Sequence, residues 1–225
     1  MNPTAVTQNL LQLNRVRFVN AFLVREPDGF TLIDTTCQRG GDALIEAAQR
    51  AGGSIRRIAL THGHTDHAGS VDQLRQRLGD SVQLLVPELD ARILAGENGA
   101  QAKVPGGWPR LQAKPDVLLA AGDRIGSLEV VPSPGHSPGH VAFLDTRDRT
   151  LIAGDAFTTV GRVTVSSQPH WRFPWAVLAT WDKRKAVESA RALRALDPAI
   201  LVVGHGPPVR EPAAPMDDAI ARAGG

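Results

Sequence analysis

A dense group of histidines constrains the fold of this chain more than any other feature of its sequence. Three of the seven histidines share one short segment with an aspartate: His62, His64, Asp66 and His67. An apolar run at residues 57–61 predicts a strand before the segment, and the spacing of residues 68–78 predicts a helix after it. Gly63 would let the backbone bend, so that the first two histidines lie on one side and the other pair on another. Imidazole and carboxylate groups placed in this way suit two adjacent metal ions.

Three further candidate residues occur at the ends of predicted strands, each next to glycine. They are His136 in Ser-Pro-Gly-His, Asp155 in Ala-Gly-Asp and His205 in Val-Gly-His. In α/β proteins the sheet holds such positions rigidly, while the loop leaves the side chain accessible. Five of the seven histidines therefore lie in positions of one kind.

Strand and helix patterns alternate along the chain and predict a single α/β domain over residues 1–225. Residues 16–34 predict an opening hairpin, and residues 177–196 predict one long helix. Residues 97–115 and 157–175 predict two long loops, of the kind that often borders a functional site.

The order His-x-His-x-Asp-His, Pro-Gly-His, Gly-Asp and Gly-His resembles the motif set of the metallo-beta-lactamase superfamily and covers nearly the whole chain. The resemblance implies an αββα sandwich, in which two mixed β-sheets are flanked by helices. It also implies the ligands of two metal ions. One ion would be bound by His62, His64 and His136, the other by Asp66, His67 and His205, with Asp155 bridging both.

Zinc is the expected metal, although iron or manganese suits histidine and aspartate ligands nearly as well. Two divalent ions about 3.5–4 Å apart can share a hydroxide that is nucleophilic at neutral pH. The catalytic role implied for Asp66 is to orient that hydroxide and to pass a proton to the leaving group.

The expected reaction is hydrolysis of an ester, lactone or thioester bond in a small molecule. Asp155 at the bridging position differs from true beta-lactamases, which resemble this motif set but carry another residue type there or none. The chain has no tyrosine, whereas lactonases of the family use one near the metals. After Asp155 we expect only a helix, a strand and a short tail, and not the helical extension with which glyoxalase II enzymes bind glutathione. The alternatives are a phosphodiesterase at the same two-metal site, a persulfide dioxygenase with one iron, and a non-catalytic metal-binding sensor.

Composition narrows the partners and the cellular setting. The formal net charge is only +2 and the basic residues are scattered, so nucleic acid is not an expected partner. No apolar run approaches the ~20 residues of a membrane span. Cys37 is the only cysteine, as expected of a cytoplasmic protein, and it is interpreted as a packing residue rather than a nucleophile. A homodimer formed through the aromatic loops is a further expectation.

Several residues keep two interpretations at this point. Asp34 fits either a residue that orients a metal ligand or a turn residue at a strand end. The Pro-Gly-His pattern favours His136 over His140 as a ligand, so His140 is expected to support the site or to belong to a strand. One further histidine and three aromatic residues have no assigned role: His170, Trp108, Trp171 and Trp175.

Overall fold

The computed structural model describes residues 1–97 and 105–224, and these form two compact units. The first unit holds residues 1–97 and 108–119, and the second holds the described residues 105–107 and 120–224. Each unit contains a mixed β-sheet together with helices. The predicted α/β class, with two mixed sheets and flanking helices, is therefore confirmed, whereas the assignment of the chain to a single domain stays a prediction.

Seven strands of the first unit form one sheet within the described part of the chain. In chain order they are β1 (Thr4–Ala5), β2 (Leu10–Arg15), β3 (Val19–Glu26), β4 (Gly29–Ile33), β5 (Ile55–Ala59), β6 (Gln83–Pro87) and β7 (Val117–Leu119). The strands lie in the sheet in this same order, antiparallel from β1 to β4 and parallel from β4 to β7. Parallel neighbours cannot be joined by a tight turn, so a longer connection must cross between them.

The helices of the first unit lie in its connections, and their apolar faces build its core. They are α1 (Gly41–Arg50), α2 (Thr65–Ala68), α3 (Val71–Leu78) and α4 (Glu88–Leu94), with a 3-10 turn at Gly79–Ser81. Leu44 of α1 and Leu74 of α3 are fully buried in one cluster with Leu32 and Ile58 of the sheet. Burial of each such side chain stabilises the fold by roughly 1.5–3 kcal/mol. This packing fixes the carboxyl ends of β4 and β5, where the first candidate residues lie.

The opening hairpin predicted for residues 16–34 begins too early. β1 and β2 precede it, and Val16 and Arg17 form the turn between β2 and β3 with φ angles of 46° and 70°. Val16 is an exposed apolar residue in a turn, which local hydrophobicity cannot distinguish from the start of a strand. The rest of the prediction is confirmed, because β3 and β4 pair in antiparallel register up to Glu26 and Gly29.

The second unit has a six-stranded sheet and a two-stranded ribbon among its described residues. Their strands are β8 (Arg124–Ile125), β9 (Leu128–Pro132), β10 (Val141–Asp145), β11 (Thr150–Ile152), β12 (Phe157–Thr158), β13 (Thr164–Val165), β14 (Ile200–Val202) and β15 (Val209–Arg210). The sheet order is β15, β14, β11, β10, β9, β8, and the ribbon pairs β12 with β13. β11 and β14 are parallel, which brings the carboxyl ends of these two strands to the same edge.

The helices of the second unit differ from the prediction of one helix over residues 177–196. They are α5 (Trp175–Ala179), α6 (Lys183–Ala195) and α7 (Ala213–Ala223). The single helix is wrong because Thr180 and Asp182 have extended backbones that separate α5 from α6. Asp182 is the N-cap of α6, and its side chain accepts a hydrogen bond from the Lys185 amide.

The predicted loops are confirmed only in part. Residues 98–104 of the loop predicted at 97–115 lie outside the described residues, and the described remainder has no helix or strand. The loop predicted at 157–175 is wrong in its first half, which contains the ribbon of β12 and β13.

Among the described residues, no helix combines the length and apolar character that crossing a membrane requires.

Candidate metal centre

The first unit gathers three histidine rings where β5 ends and α2 begins. His62 and His64 follow β5, and His67 lies within α2. The ring centroids of His62 and His64 are 4.7 Å apart, and those of His62 and His67 are 4.1 Å apart. All three rings are buried, whereas the Asp66 side chain is 37% exposed, with Oδ2 3.9 Å from His67 Nε2. This unit therefore holds a compact imidazole cluster with one carboxylate open to solvent.

Asp34, at the end of β4, orients this cluster. Its Oδ2 lies 2.8 Å from His67 Nδ1, and its two oxygens accept hydrogen bonds from the Thr61 hydroxyl and amide, each at 2.8 Å. Asp34 has a φ of 60°, a left-handed conformation that aspartate tolerates better than most residues. The carboxylate favours the His67 tautomer with its proton on Nδ1, which makes Nε2 the nitrogen that can bind a metal. Asp34 is thus an orienting residue and not merely a turn residue.

Thr61 sets the His62 ring in the same way. Because the Thr61 hydroxyl donates its proton to Asp34, its oxygen accepts a hydrogen bond from His62 Nδ1, 3.0 Å away. Nε2 of His62 is then the acceptor nitrogen. One buried pair, Asp34 and Thr61, thereby presets two imidazoles in the tautomer that metal binding needs.

Close packing, rather than a sharp bend, requires the glycine between His62 and His64. The φ of Gly63 is not positive, and its amide donates a hydrogen bond to Asp90 Oδ2 at 2.9 Å. A Cβ atom at Gly63 would lie 2.5 Å from the Trp108 ring. That ring also meets the His64 ring edge-on, with centroids 4.9 Å apart. Trp108 therefore forms a wall of the histidine cluster, which gives it a role that the sequence had left open.

The second unit brings two histidines onto one aspartate. Asp155 follows β11 and His205 follows β14, while His136 lies between β9 and β10. Nε2 of His136 is 3.4 Å from Asp155 Oδ2, and Nε2 of His205 is 3.1 Å from the same oxygen. All three side chains are buried. The parallel pairing of β11 and β14 explains why residues fifty positions apart in sequence meet here.

Thr180 orients His136, and the sequence analysis did not find it. Its hydroxyl lies 3.1 Å from His136 Nδ1 and donates its own proton to the Ala176 carbonyl at 2.8 Å. The Thr180 oxygen therefore accepts from Nδ1, and Nε2 of His136 is the acceptor nitrogen, as in the first unit. The Trp181 amide also donates to the His136 carbonyl at 3.0 Å. The readable signal was the N-cap residue Asp182, which marks the break between α5 and α6 that places Thr180 here.

His140 supports Asp155 through one ring nitrogen and is held by Ser133 through the other. Its Nε2 accepts a hydrogen bond from the Asp155 amide at 3.0 Å, so Nδ1 carries the proton and donates to Ser133 Oγ at 2.8 Å. His136, and not His140, is thus the histidine whose Nε2 reaches the Asp155 carboxylate.

Comparison with known proteins identifies the family in which these residues occur. A family model described as the metallo-beta-lactamase superfamily matches residues 14–205, a span that contains all seven candidate ligands. The chain belongs to the metallo-beta-lactamase superfamily. This superfamily member is 42% identical to an uncharacterized protein, YobT, from Bacillus subtilis, over 91% of its own length and 90% of the relative. It is 27% identical to the hydroxyacylglutathione hydrolase GloC from Haemophilus influenzae, over 74% of its own length and 77% of that protein.

A solved structure shows the same fold for this superfamily member. A metallo-beta-lactamase from Pontibacter korlensis aligns with 99% of this chain and 98% of its own, with a TM-score of 0.73 and 20% identity. The fold that the motif set implied is therefore confirmed.

The candidate ligands of this superfamily member fit divalent metal ions by their chemistry. The first unit supplies His62, His64, Asp66 and His67, and the second supplies His136, Asp155 and His205. Neutral imidazoles and carboxylates are the ligands that zinc and similar divalent ions prefer. For His62, His67 and His136, hydrogen bonds at Nδ1 leave Nε2 as the acceptor, which is the state that a metal requires.

Of the aromatic residues in the loop predicted at 157–175, one contacts a candidate ligand and two are exposed. Trp171 and Trp175 are 82% and 68% exposed, while Phe173 between them packs its ring against the His205 ring, with centroids 4.6 Å apart.

Burial raises the pKa of the Cys37 thiol. The thiol is therefore protonated at neutral pH and is a poor nucleophile, as the sequence analysis expected.

Proposed function

We propose that this chain is a metal-dependent hydrolase that cleaves an ester, lactone or thioester bond of a small molecule in the cytoplasm. The observation that carries the proposal is the approach of His136 and His205, both through Nε2, to one carboxylate oxygen of Asp155. A buried carboxylate oxygen approached by two imidazole nitrogens is suited to hold a cation between them.

The proposed ligands are those that the motif order implies. His62, His64 and His136 would serve one ion, Asp66, His67 and His205 the other, and Asp155 would serve both. Divalent ions, with zinc expected and iron or manganese as alternatives, supply an activated water and polarise the substrate carbonyl when bound.

The chain's own residues would orient the ligands and move the proton. Asp34, Thr61 and Thr180 hold three imidazoles in the tautomer that metal binding requires, so no proton has to move between ring nitrogens before a metal ion binds. Asp66 is the proposed acid–base residue, because its exposed carboxylate can exchange a proton with solvent. At Oδ2 it would take a proton from the attacking water and return it to the leaving oxygen or sulfur.

The relative GloC supports a thioester as one of the proposed bonds. Its name, hydroxyacylglutathione hydrolase, describes hydrolysis of an acyl group from glutathione. The near-balanced charge of the present chain supports a small-molecule substrate rather than a nucleic acid.

The proposal is tested by elemental analysis of the purified protein together with a panel of lactone, ester, thioester, phosphodiester and beta-lactam substrates. About two divalent ions per chain and turnover of a lactone, ester or thioester are the expected results. Selective turnover of the phosphodiester would replace the proposal with a phosphodiesterase. One iron per chain would favour the dioxygenase, and bound metal without turnover of any substrate would favour the non-catalytic sensor.

Substitution of one ligand tests the two-metal arrangement directly. His67→Ala or His205→Ala should lower the metal content toward one ion per chain and sharply reduce turnover, because each removes a ligand of the same proposed ion. His170→Asn, outside the ligand set, should keep the native metal content. Unchanged stoichiometry in both alanine variants would overturn the arrangement.

A further inference from the structure

The loop that follows β12 is fastened to the His205 segment within the second unit. The Thr158 hydroxyl and the Thr159 amide both donate hydrogen bonds to the His205 carbonyl, each at 3.0 Å. The Thr159 hydroxyl also donates to the Pro207 carbonyl at 2.6 Å. The loop that continues through Gly161 to Val163 therefore begins at residues bonded to the backbone of a candidate metal ligand.

Three arginine residues lie in or beside this loop. Arg162 belongs to it, and Arg222 of α7 donates from Nη2 to the Val163 carbonyl at 2.9 Å. Arg172 lies over Gly161, with its Nη1 3.1 Å from the position a Cβ atom there would take. All three residues are exposed, and none has an aspartate or glutamate ion-pair partner within the described chain. Like charges gathered without a counter-charge repel one another, so the group gains stability when an anion binds.

A buried histidine, His170, lies near enough to these arginines for their charges to act on its ring. His170 is 6% exposed, and its Nδ1 has no hydrogen-bond partner among the described residues. Burial, together with the charges of Arg162, Arg172 and Arg222, lowers the pKa of His170, so the ring is neutral at neutral pH. A buried ring nitrogen without a partner is uncommon and costs free energy. In the tautomer with its proton on Nδ1, the ring can donate that proton to an oxygen of a ligand.

We propose that Arg162, Arg172, Arg222 and His170 bind an oxyanion of the substrate, a carboxylate or a phosphate, and so select substrates that carry this charge. Planar guanidinium groups match both oxyanions in geometry and charge. The proposal rests on the proposed hydrolase function, since the loop's attachment to His205 would hold the charged end of a substrate near the cleaved bond.

Direct binding of two simple anions tests the site without turnover. Succinate and inorganic phosphate are titrated by calorimetry into the metal-loaded protein and into Arg162→Gln and Arg172→Gln, with the metal content of each measured. Each substitution should weaken binding about tenfold, because it removes a charge-assisted hydrogen bond. Arg124→Gln changes an exposed arginine of β8 that lies 3.7 Å from Glu129, and it should bind like the native protein.

The two anions distinguish the sources of the charge. Tighter binding of succinate assigns the site to a carboxylate, and tighter binding of phosphate assigns it to a phosphate ester. Native affinity in both arginine variants, or no binding of either anion by the native protein at millimolar concentration, would overturn the site.

A pair of thioesters separates failure of this site from failure of the proposed function. The acetyl thioester of 3-mercaptopropionate carries a carboxylate, and that of 2-mercaptoethanol is neutral. Arg172→Gln should lower kcat/KM about tenfold for the first and leave it unchanged for the second. Equal effects on both would reject the anion site while the hydrolase stands. If the native protein cleaves neither thioester nor any ester or lactone of the panel, the hydrolase fails, and the calorimetric pattern alone decides the anion site.

Discussion

Three of the candidate ligand imidazoles share one arrangement, in which Nδ1 donates a hydrogen bond to an oxygen. For His67 that oxygen belongs to the Asp34 carboxylate, whereas for His62 and His136 it belongs to a threonine hydroxyl. Each threonine hydroxyl donates its own proton elsewhere, so it cannot donate to the imidazole. At the residue scale, therefore, the protonation state that a metal requires is set by neighbours and is present before any metal binds.

The first prediction concerns Asp34. Asp34→Asn removes the negative charge that holds the His67 proton on Nδ1, and the amide can itself donate a proton to the ring. We expect zinc affinity to fall by about 10- to 100-fold, measured by competition with a chromophoric chelator. Asp80→Asn, a matched change at a fully exposed carboxylate of the same unit, should leave the affinity unchanged. Equal affinities in all three proteins would contradict the assignment.

The second prediction concerns the pH dependence of stability at His170. Because its pKa lies below the ordinary value of 6.5 in the folded protein, the unfolded chain binds a proton at this position that the folded protein does not. The free energy of unfolding should therefore fall as the pH decreases below 6.5 and level off below the folded pKa. His170→Asn should show a smaller loss over that interval in urea unfolding with chloride as the only anion. Parallel curves for the two proteins would exclude the effect.

At the scale of elements, the break between α5 and α6 does more than end a helix. The Asp182 amide donates to the Gly135 carbonyl at 2.8 Å, and the Trp181 amide donates to the His136 carbonyl. A continuous helix would use these amides internally. The interruption therefore ties the Gly135–His136 turn in place, and the Asp182 side chain supplies the new start of α6.

A third prediction follows for Asp182. Asp182→Ala removes the side chain that accepts from the Lys185 amide at 3.0 Å, and it should lower the free energy of unfolding by about 1 kcal/mol. Asp182→Asn keeps an acceptor oxygen and should retain most of the stability. Urea unfolding of the three proteins gives the comparison, and equal losses in the two variants would argue against capping.

The same elements show which parts of the site could be predicted from sequence. The positions of the seven candidate ligands could be predicted from residue type and neighbouring glycines, which are local signals, and their role as metal ligands stays a prediction. The orienting contacts could not, since Thr180 acts on a histidine 44 positions away and Asp34 on one 33 positions away. The helix break carried a readable N-cap at Asp182, but the surrounding helical spacing outweighed it. At Val16 the sequence predicted a strand where the structure has a turn, since an apolar residue in a turn resembles the start of a strand.

For the whole molecule, the order of elements and motifs was enough to predict the fold class and the superfamily. The homodimer stays a prediction, as does the single-domain assignment. Two exposed tryptophans, Trp171 and Trp175, lie in the predicted loop from which the dimer was expected, and the exposed Leu178 follows in α5.

The last prediction concerns metal removal. Dialysis against a chelator should lower the Tm by about 5–10 °C, because ions that bind the folded chain and not the unfolded chain stabilise it by mass action. Differential scanning calorimetry measures the shift, and restoring zinc should reverse it. A Tm that is the same before dialysis, after it and after zinc addition would count against tightly bound metal.

The edge-on contact between Trp108 and His64 gives this protein an optical signal of its own. The chain has four tryptophans and no tyrosine, so its near-ultraviolet fluorescence comes from tryptophan. The exposed indoles of Trp171 and Trp175 report mainly on solvent, whereas the indole of Trp108 senses charge on an imidazole beside it. A proton or a cation arriving at His64 will therefore change the emission of the unlabelled protein, and its arrival can be timed by stopped-flow mixing before any substrate is known.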